Sequence, residues 1–278
     1  MVRLIATDLD GTLLDDDHVS VPQRSLAALR EASAQGISVA VASGRPWCFV
    51  QKLVEEMGCV DYALLCNGAS VLDVRSRTWI SQGGLEEPVW RAVLSLLRTG
   101  HFPFFVYSEG GAYLERSMVE AAQSQYFLTP QFQAEAEKVL TVADCLEDAL
   151  AGRRVEKIDS FFIPPDVWAP LLEQLRAMGG LYLASGLRNN LEISSAEADK
   201  GRALAALCAR RSIPPEEVMA FGDGGNDVEM LRWAFWSFAM ENGMEEAKAA
   251  ARHIAPPNHV GGLGEMVERY ALSPHHTA

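Results

Sequence analysis

The chain opens on an apolar run, Val2-Arg3-Leu4-Ile5-Ala6-Thr7, that breaks abruptly at Asp8-Leu9-Asp10-Gly11-Thr12. A short apolar run is the pattern of a strand buried on both faces of a parallel sheet. Apolar positions then recur at helical spacing up to Gly36, with Ser20 and Gln23 placed as a capping box at the start. A second apolar run over 37–42 ends in Ser43-Gly44-Arg45-Pro46. Trp47, Val50, Leu53, Val54 and Met57 repeat at helical spacing, and Gly58 closes that helix. A third strand is predicted over 62–66, closed by Asn67-Gly68. The rhythm returns late in the chain. A helix is predicted from Lys200 to Arg211, a strand over 218–221, then Gly222-Asp223-Gly224-Gly225-Asn226-Asp227 and a helix through Met230 and Leu231. A strand over 237–240 and a helix over 244–251 follow. Strands alternating with helices predict a parallel, Rossmann-like sheet with right-handed crossovers.

Residues 83–189 break this rhythm. Strands are predicted over 102–107, 112–115 and 155–162, with a helix over 167–178. Strands without helices between them predict an antiparallel sheet. The expected fold is therefore α/β: a parallel-sheet core from residues 1–82 and 190–278, with an α+β cap inserted over 83–189. Gly83-Gly84 and Arg188-Asn189-Asn190 are the expected hinges.

Composition narrows the partners. A chain of 278 residues has room for two modest domains. Its formal net charge of -13 works against binding nucleic acid or an anionic membrane surface. No apolar run approaches the length of a membrane span. Asp8 and Asp10 come too early for a signal peptide, so a cytoplasmic location is expected. The five cysteines include no C-x-x-C pair and do not cluster with histidine at zinc spacing. His275 and His276 fall in a terminal tail. No obligate protein partner is implied.

Three predicted strands end in polar clusters: Asp8 with Asp10, Ser43, and Asp223 with Asn226 and Asp227. In a parallel sheet these ends meet at one edge, where open α/β sheets bind ligands. Four carboxylates gathered there repel one another unless a divalent cation joins them, and an all-oxygen donor set favours magnesium over zinc. One acid can attack an electrophile while the other moves a proton. Lys200 begins a helix, so its ammonium and the helix start can face one anion. Ser43 can donate to a phosphoryl oxygen. Phosphoryl transfer needs such a set, because it is mainly positioning and charge stabilisation. Plainer roles stand beside each of these. Asp10-Gly11 is a common turn, Ser43 can cap the next helix, Lys200 can be a solvated lysine, and Asp227 can be a helix N-terminal acid. Arg45 can contact substrate or hold its turn in a local ion pair.

Taken in order, Asp8-Leu9-Asp10-Gly11-Thr12, Ser43-Gly44-Arg45, Lys200-Gly201 and Gly222-Asp223-Gly224-Gly225-Asn226-Asp227 resemble the four motifs of the haloacid dehalogenase superfamily. More narrowly, the chain resembles the Cof-type phosphatases with a large α/β cap. The resemblance covers nearly the whole chain and includes Asn67-Gly68-Ala69 and the Ala239-Met240 strand. It departs at Ser195-Ala196-Glu197-Ala198-Asp199, where the family often has a glycine and a valine before its lysine. The resemblance implies that Asp8 is the nucleophile and forms an aspartyl-phosphate. It implies that Asp10 protonates the leaving alcohol and later activates water. Mg2+ would be held by Asp8, Asp223 and the Asp10 carbonyl, with Asp227 in support. Ser43, Gly44, Lys200, Asn226 and the Leu9 backbone would hold the phosphate. Asp10 argues against the dehalogenase branch, which lacks that acid and the metal. The implied activity is hydrolysis of a small phosphorylated metabolite, foremost a sugar phosphate. A phosphomutase and a non-catalytic phosphometabolite-binding protein are the alternatives. No motif fixes the leaving-group site; Arg45, Tyr107, Tyr113, Arg116 and Arg188 are its candidates.

Overall fold

The computed structural model describes residues 1–120, 129–184 and 190–272. In chain order its first part contains β1 (Leu4–Thr7), α1 (Gln23–Ala34), β2 (Ser38–Ala42), α2 (Trp47–Met57), β3 (Tyr62–Leu65), β4 (Ser70–Asp73) and β5 (Thr78–Gln82). The middle contains α3 (Glu87–Thr99), β6 (Phe104–Ser108), β7 (Gly111–Glu115), α4 (Pro130–Ala136), β8 (Leu140–Ala143), α5 (Leu146–Ala149), β9 (Val155–Ser160), α6 (Pro165–Met178), β10 (Leu181–Ala184) and β11 (Leu191–Ser195). The last part contains α7 (Lys200–Arg211), β12 (Val218–Gly222), α8 (Val228–Trp233), β13 (Trp236–Met240), α9 (Glu245–Ala250), β14 (His253–Ala255) and α10 (Gly262–Val267). Among the described residues, no helix is long and apolar enough to cross a membrane.

Eight strands form the first sheet, in the order β14-β13-β12-β1-β2-β3-β4-β5. β14 through β3 run parallel. β1 lies between β12 and β2, and its side chains separate cleanly between the two faces. Ile5, Val39, Val41 and Ala63 join Leu29, Leu263 and Val267 on one side. Leu4, Ala6, Ala40 and Ala42 join Leu204, Leu207 and Met230 on the other. Burial on both faces is why these strands read as continuous apolar runs. β4 and β5 extend the sheet as an antiparallel hairpin that the sequence pattern did not reveal.

The second sheet has the order β10-β11-β9-β6-β7-β8. It is antiparallel except for β7 with β8, which pair in parallel, so the expected purely antiparallel sheet is corrected at that edge. Parallel neighbours need a connection of a dozen or more residues, and β7 ends at Glu115 while β8 begins at Leu140. Its outer face carries Phe104, Val106, Ile158 and Ile193 under Trp90, Val93, Leu94, Leu97, Leu171 and Leu175. Strand alternation turns Phe105, Tyr107, Lys157, Asp159 and Glu192 to the opposite face, toward the first sheet. The second sheet also reaches further along the chain than the division at 189/190 expects. β11 pairs with both β9 and β10, so residues 191–195 belong to it. Leu191 and Ile193 enter its core while Glu192 alternates away, which is the pattern of a half-buried strand.

The predicted capping box does not form. α1 follows Pro22 with no side-chain cap. The Asp17 carboxylate instead accepts the Ser20 hydroxyl at 2.6 Å and the Ser20 backbone N–H at 2.8 Å. An aspartate turn therefore competes successfully for the serine. Arg188 and the expected Arg188-Asn189 hinge lie outside the described residues, as do His275 and His276.

Candidate active site

Asp8 leaves the carboxyl end of β1 in an extended conformation, and the chain then coils tightly through Gly11 at φ 78°. A Cβ on Gly11 would lie 2.5 Å from Asp223 Oδ2, so glycine is required for this close approach. Thr12 donates its hydroxyl to Asp223 Oδ1 at 3.0 Å and draws the end of β12 against this turn. Lys200 opens α7, whose N-terminus is capped by Asp199 accepting from the Arg202 N–H at 2.7 Å. The departure from the family pattern before Lys200 thus ends in an ordinary helix cap.

Lys200 is fully buried and is not a surface lysine. Its ammonium donates to Asp8 Oδ1 at 2.6 Å and to Asp227 Oδ1 at 2.7 Å. The other oxygen of Asp227 accepts the N–H groups of Asp223 and Gly224, each at 3.0 Å. Carboxylate oxygens of Asp8, Asp223 and Asp227 all fall within 4.8 Å of one another. Burial pushes the Asp8 carboxyl well up from its ordinary value; Lys200 opposes this, while Asp227, Asp223 and Asp10 add to it. Burial and the Asp227 charge raise Asp223 to about 6 against the Thr12 hydrogen bond. Burial works against the Lys200 charge, yet Asp227 and Asp8 hold its ammonium well above the ordinary lysine range. The cluster carries more negative charge than one lysine balances, and its donors are all oxygen. That fits a hard divalent cation.

Asp10 faces the same cavity but has different partners. Arg45 grips its carboxylate with both ends of the guanidinium, through Nε at 2.8 Å and a shorter contact from the terminal nitrogen. His18 Nδ1 lies 2.8 Å away on the same carboxylate. Burial would raise this carboxyl, but Arg45 and His18 hold it well below the usual carboxylate range. Arg45 also donates to the His18 carbonyl, and Phe132 of α4 covers its guanidinium at 4.4 Å. Arg45 is thus paired with Asp10 while it also lines the cavity.

Ser43 is buried at the end of β2 and accepts the Arg45 N–H at 3.1 Å. α2 begins at Trp47 without a side-chain cap, so Ser43 is not its cap. Asn226 donates to Asn67 Oδ1 at 3.0 Å, and Asn67 in turn donates to Glu192 of the second sheet at 2.5 Å. Gly44 lies beneath that sheet: a Cβ there would be 3.4 Å from Lys157 Nζ and 3.5 Å from Glu192 Oε2.

A cavity of about 250 Å³ joins these groups. Asp8, Asp10, Gly44, Arg45, Asp223 and Asn226 line its floor. Leu9, Ser43, Lys200 and Asp227 do not reach it; they pack behind that floor. Its roof is Tyr107, Lys157, Asp159, Phe161, Asn190 and Glu192, with Phe49 and Phe132 in the wall. Tyr107 is therefore a lining residue as expected. Tyr113 and Arg116 are not: Tyr113 accepts from Arg153, and Arg116 pairs with Asp144 on the surface. Tyr113 lies on β7 and packs with the outer-face core of the second sheet, and Arg116 follows β7; neither lines the cavity. The roof acids and lysine escaped sequence reasoning. Their one signal is Lys157-Ile158-Asp159, where charges alternate with an apolar residue inside a buried strand.

Comparison with known proteins agrees with this geometry. Residues 5–267 match the family model described as haloacid dehalogenase-like hydrolase. Phosphatase YwpJ of Bacillus subtilis is 28% identical, over 96% of this chain and 99% of the relative. The Escherichia coli 5-amino-6-(5-phospho-D-ribitylamino)uracil phosphatase YbjI is also 28% identical, over 96% of each. A crystal structure of a haloacid dehalogenase-like hydrolase from Bacteroides thetaiotaomicron superposes with a TM-score of 0.84 at 25% identity, covering 97% of this chain and 99% of that one. With its Asp8 turn, buried Lys200 and carboxylate cluster assembled at one sheet edge under a second sheet, this chain belongs to the haloacid dehalogenase-like hydrolases.

Proposed function

We propose that this protein is a magnesium-dependent phosphatase that hydrolyses monoesters of small phosphorylated metabolites, sugar phosphates foremost, through an aspartyl-phosphate on Asp8. The observation that carries this reading is Asp8 itself: a carboxylate at the cavity floor, with one oxygen fixed by a buried lysine at 2.6 Å. That contact orients the side chain and leaves its second oxygen for attack. Relatives named as phosphatases along nearly their whole length support the same class.

In the proposed reaction Asp8 attacks phosphorus, and the bond from phosphorus to the ester oxygen breaks. The leaving oxygen takes its proton from Asp10. Asp10 then removes a proton from water, the water oxygen attacks phosphorus, and Asp8 is released with inorganic phosphate. The Arg45 and His18 contacts keep Asp10 ionised, which suits the second half. The first half requires Asp10 to turn away from Arg45 with a proton in place. Asp8, Asp223 and the Asp10 carbonyl would hold the cation, and Asp227 would brace them through Lys200 and the Asp223 N–H. The cation, when bound, supplies positive charge against the phosphoryl oxygens. Gly44 and Asn226 lie where a phosphoryl group on Asp8 would be held, with Ser43 shaping the turn beneath. We propose further that residues around the first sheet form the catalytic domain and those around the second its cap.

The test is chemical trapping. Enzyme mixed with p-nitrophenyl phosphate and magnesium is quenched, then reduced with borohydride, which converts an aspartyl-phosphate to homoserine. Mass spectrometry should locate that change at Asp8. Phosphate release with no reduced residue at Asp8 would reject the covalent route.

A further inference from the structure

Lys157, Asp159 and Glu192 form a charged triad on the roof of the cavity. Lys157 and Asp159 alternate along β9, and Glu192 is the cross-strand partner of Asp159 on β11, so all three share one face. Lys157 is 2% exposed, with its ammonium 3.3 Å from Asp159 Oδ2 and 3.3 Å from Glu192 Oε1. Its ammonium also lies 5.1 Å from the centre of the Tyr107 ring. The lysine is therefore committed within the roof and does not serve as an anchor for an incoming anion.

The carboxylates differ: Glu192 accepts from Asn67 at 2.5 Å as well as facing Lys157, while Asp159 is held more loosely. Asp159 accepts from the Tyr107 hydroxyl at 3.4 Å and from Asn190 at 3.5 Å. Charge-assisted hydrogen bonds normally close to about 2.7–2.9 Å. These long contacts leave acceptor capacity on oxygens that line the cavity. With Lys157 the triad has a formal charge of -1. Among the described lining residues, the other side chain with a fixed positive charge, Arg45, is gripped by Asp10 and covered by Phe132. Phe49 and Phe161 add apolar surface to the lining. The cavity lies below the roughly 300–1,000 Å³ typical of drug-sized ligands.

We infer that this triad selects the leaving group: it accepts an uncharged or cationic one bearing hydroxyl or amino hydrogens on an apolar frame, and it rejects one that carries a second anion. The inference rests on the phosphatase reading and names the substrate class at the same site. Hydroxyl or ammonium hydrogens satisfy the spare carboxylate oxygens. A second carboxylate or phosphate meets Asp159 and Glu192 with no uncommitted cation among the described lining residues.

The experiment measures kcat/KM for the full chain with magnesium, using glucose 6-phosphate, 6-phosphogluconate and p-nitrophenyl phosphate. The two sugar derivatives have the same number of carbons and differ at C1, which is a ring hemiacetal in the first and a carboxylate on an open chain in the second. Wild-type enzyme should favour glucose 6-phosphate by at least 30-fold. Glu192→Gln and Asp159→Asn each remove one negative charge at nearly constant shape, and each should shrink that ratio at least fivefold. Either variant that folds suffices, and the wild-type ratio needs no variant. Turnover of p-nitrophenyl phosphate with equal constants for the two sugar derivatives overturns the inference alone. So does a ratio that stays within twofold of wild type in a folded variant. Failure of the wild type to release phosphate from any of the three overturns the phosphatase reading itself.

Discussion

Two buried lysines, one behind the floor of the cavity and one in its roof, are each held between two carboxylates, and they differ in almost every other respect. Lys200 contacts Asp8 and Asp227 at 2.6 and 2.7 Å, at the start of a helix and among strand ends of the first sheet. Lys157 contacts Asp159 and Glu192 at 3.3 Å each, in mid-strand on the second sheet. The lower triad is tight, and its acids converge on a single point. The upper triad is looser and spread over the face of a sheet. Burial works against the Lys157 charge, yet Asp159 and Glu192 lift it to about 12, while burial with the Glu192 charge lifts Asp159 to about 7 despite Lys157. Desolvation of a charged pair can exceed its mutual attraction unless geometry is good. The close triad has that geometry and suits chemistry that tolerates little displacement. The open triad retains acceptor capacity and suits recognition.

Breaking the comparison at its strongest point means removing the nucleophile. Asp8→Asn should lose more than about a thousandfold in kcat while staying folded, because the amide keeps the shape but cannot attack. Phosphate release and circular dichroism check this together. Activity above a few per cent of wild type would remove Asp8 from its proposed role.

Metal removal probes only the lower triad. Chelator-treated enzyme should be inactive and recover with magnesium. At a hundredfold excess over Kd, a bound ion adds about 2.7 kcal/mol of stability. For a chain of this size that is a rise of roughly 5 °C in the melting midpoint. Full activity in excess chelator, with the metal absent by elemental analysis, contradicts the assignment.

Deleting each lysine separates the triads by stability. Removing one partner of a buried ion pair costs about 3–5 kcal/mol. Lys200→Met should fall in that range. Lys157→Met should lose less, about 2 kcal/mol, because Asp159 already sits near neutrality and can take up a proton. Urea midpoints at unchanged slope give both values. Equal losses would mean that the two sites are not energetically distinct.

The smallest effect sharpens the comparison through pH. Asp159 has a folded value of about 7 against an ordinary 3.8, so the folded protein binds its proton more tightly than the unfolded chain. The stability this confers is complete below about pH 4 and lost as pH rises through about 7. Asp159→Asn removes that loss. The variant should gain on wild type by about 1 kcal/mol between pH 6 and pH 7, with the difference growing as pH rises. A constant difference across that range would show that burial does not raise Asp159.

By itself, the sequence determined the alternation of strand and helix on the first sheet. Leu4–Thr7, Ser38–Ala42 and Tyr62–Leu65 are buried on both faces, so local hydrophobicity marks them without reference to their neighbours. It also singled out the groups proposed to react, since Asp8, Asp10, Ser43, Lys200 and Asp223 follow strand ends or begin a helix, and those positions are local. It misread edges and boundaries. The β4–β5 hairpin alternates weakly, the division at 189/190 falls ahead of β11, and Ser20 is taken by Asp17 rather than by the helix it precedes. Only the tertiary structure decided that Lys157 and Glu192, far apart in the chain, meet beside Gly44. It also decided that Arg45 turns to Asp10, and that Asp227 lies behind the cavity floor rather than in it. The physical reason is register. A strand shifted by one residue turns every side chain to its other face, and register is set by pairing between distant segments, which no local pattern records.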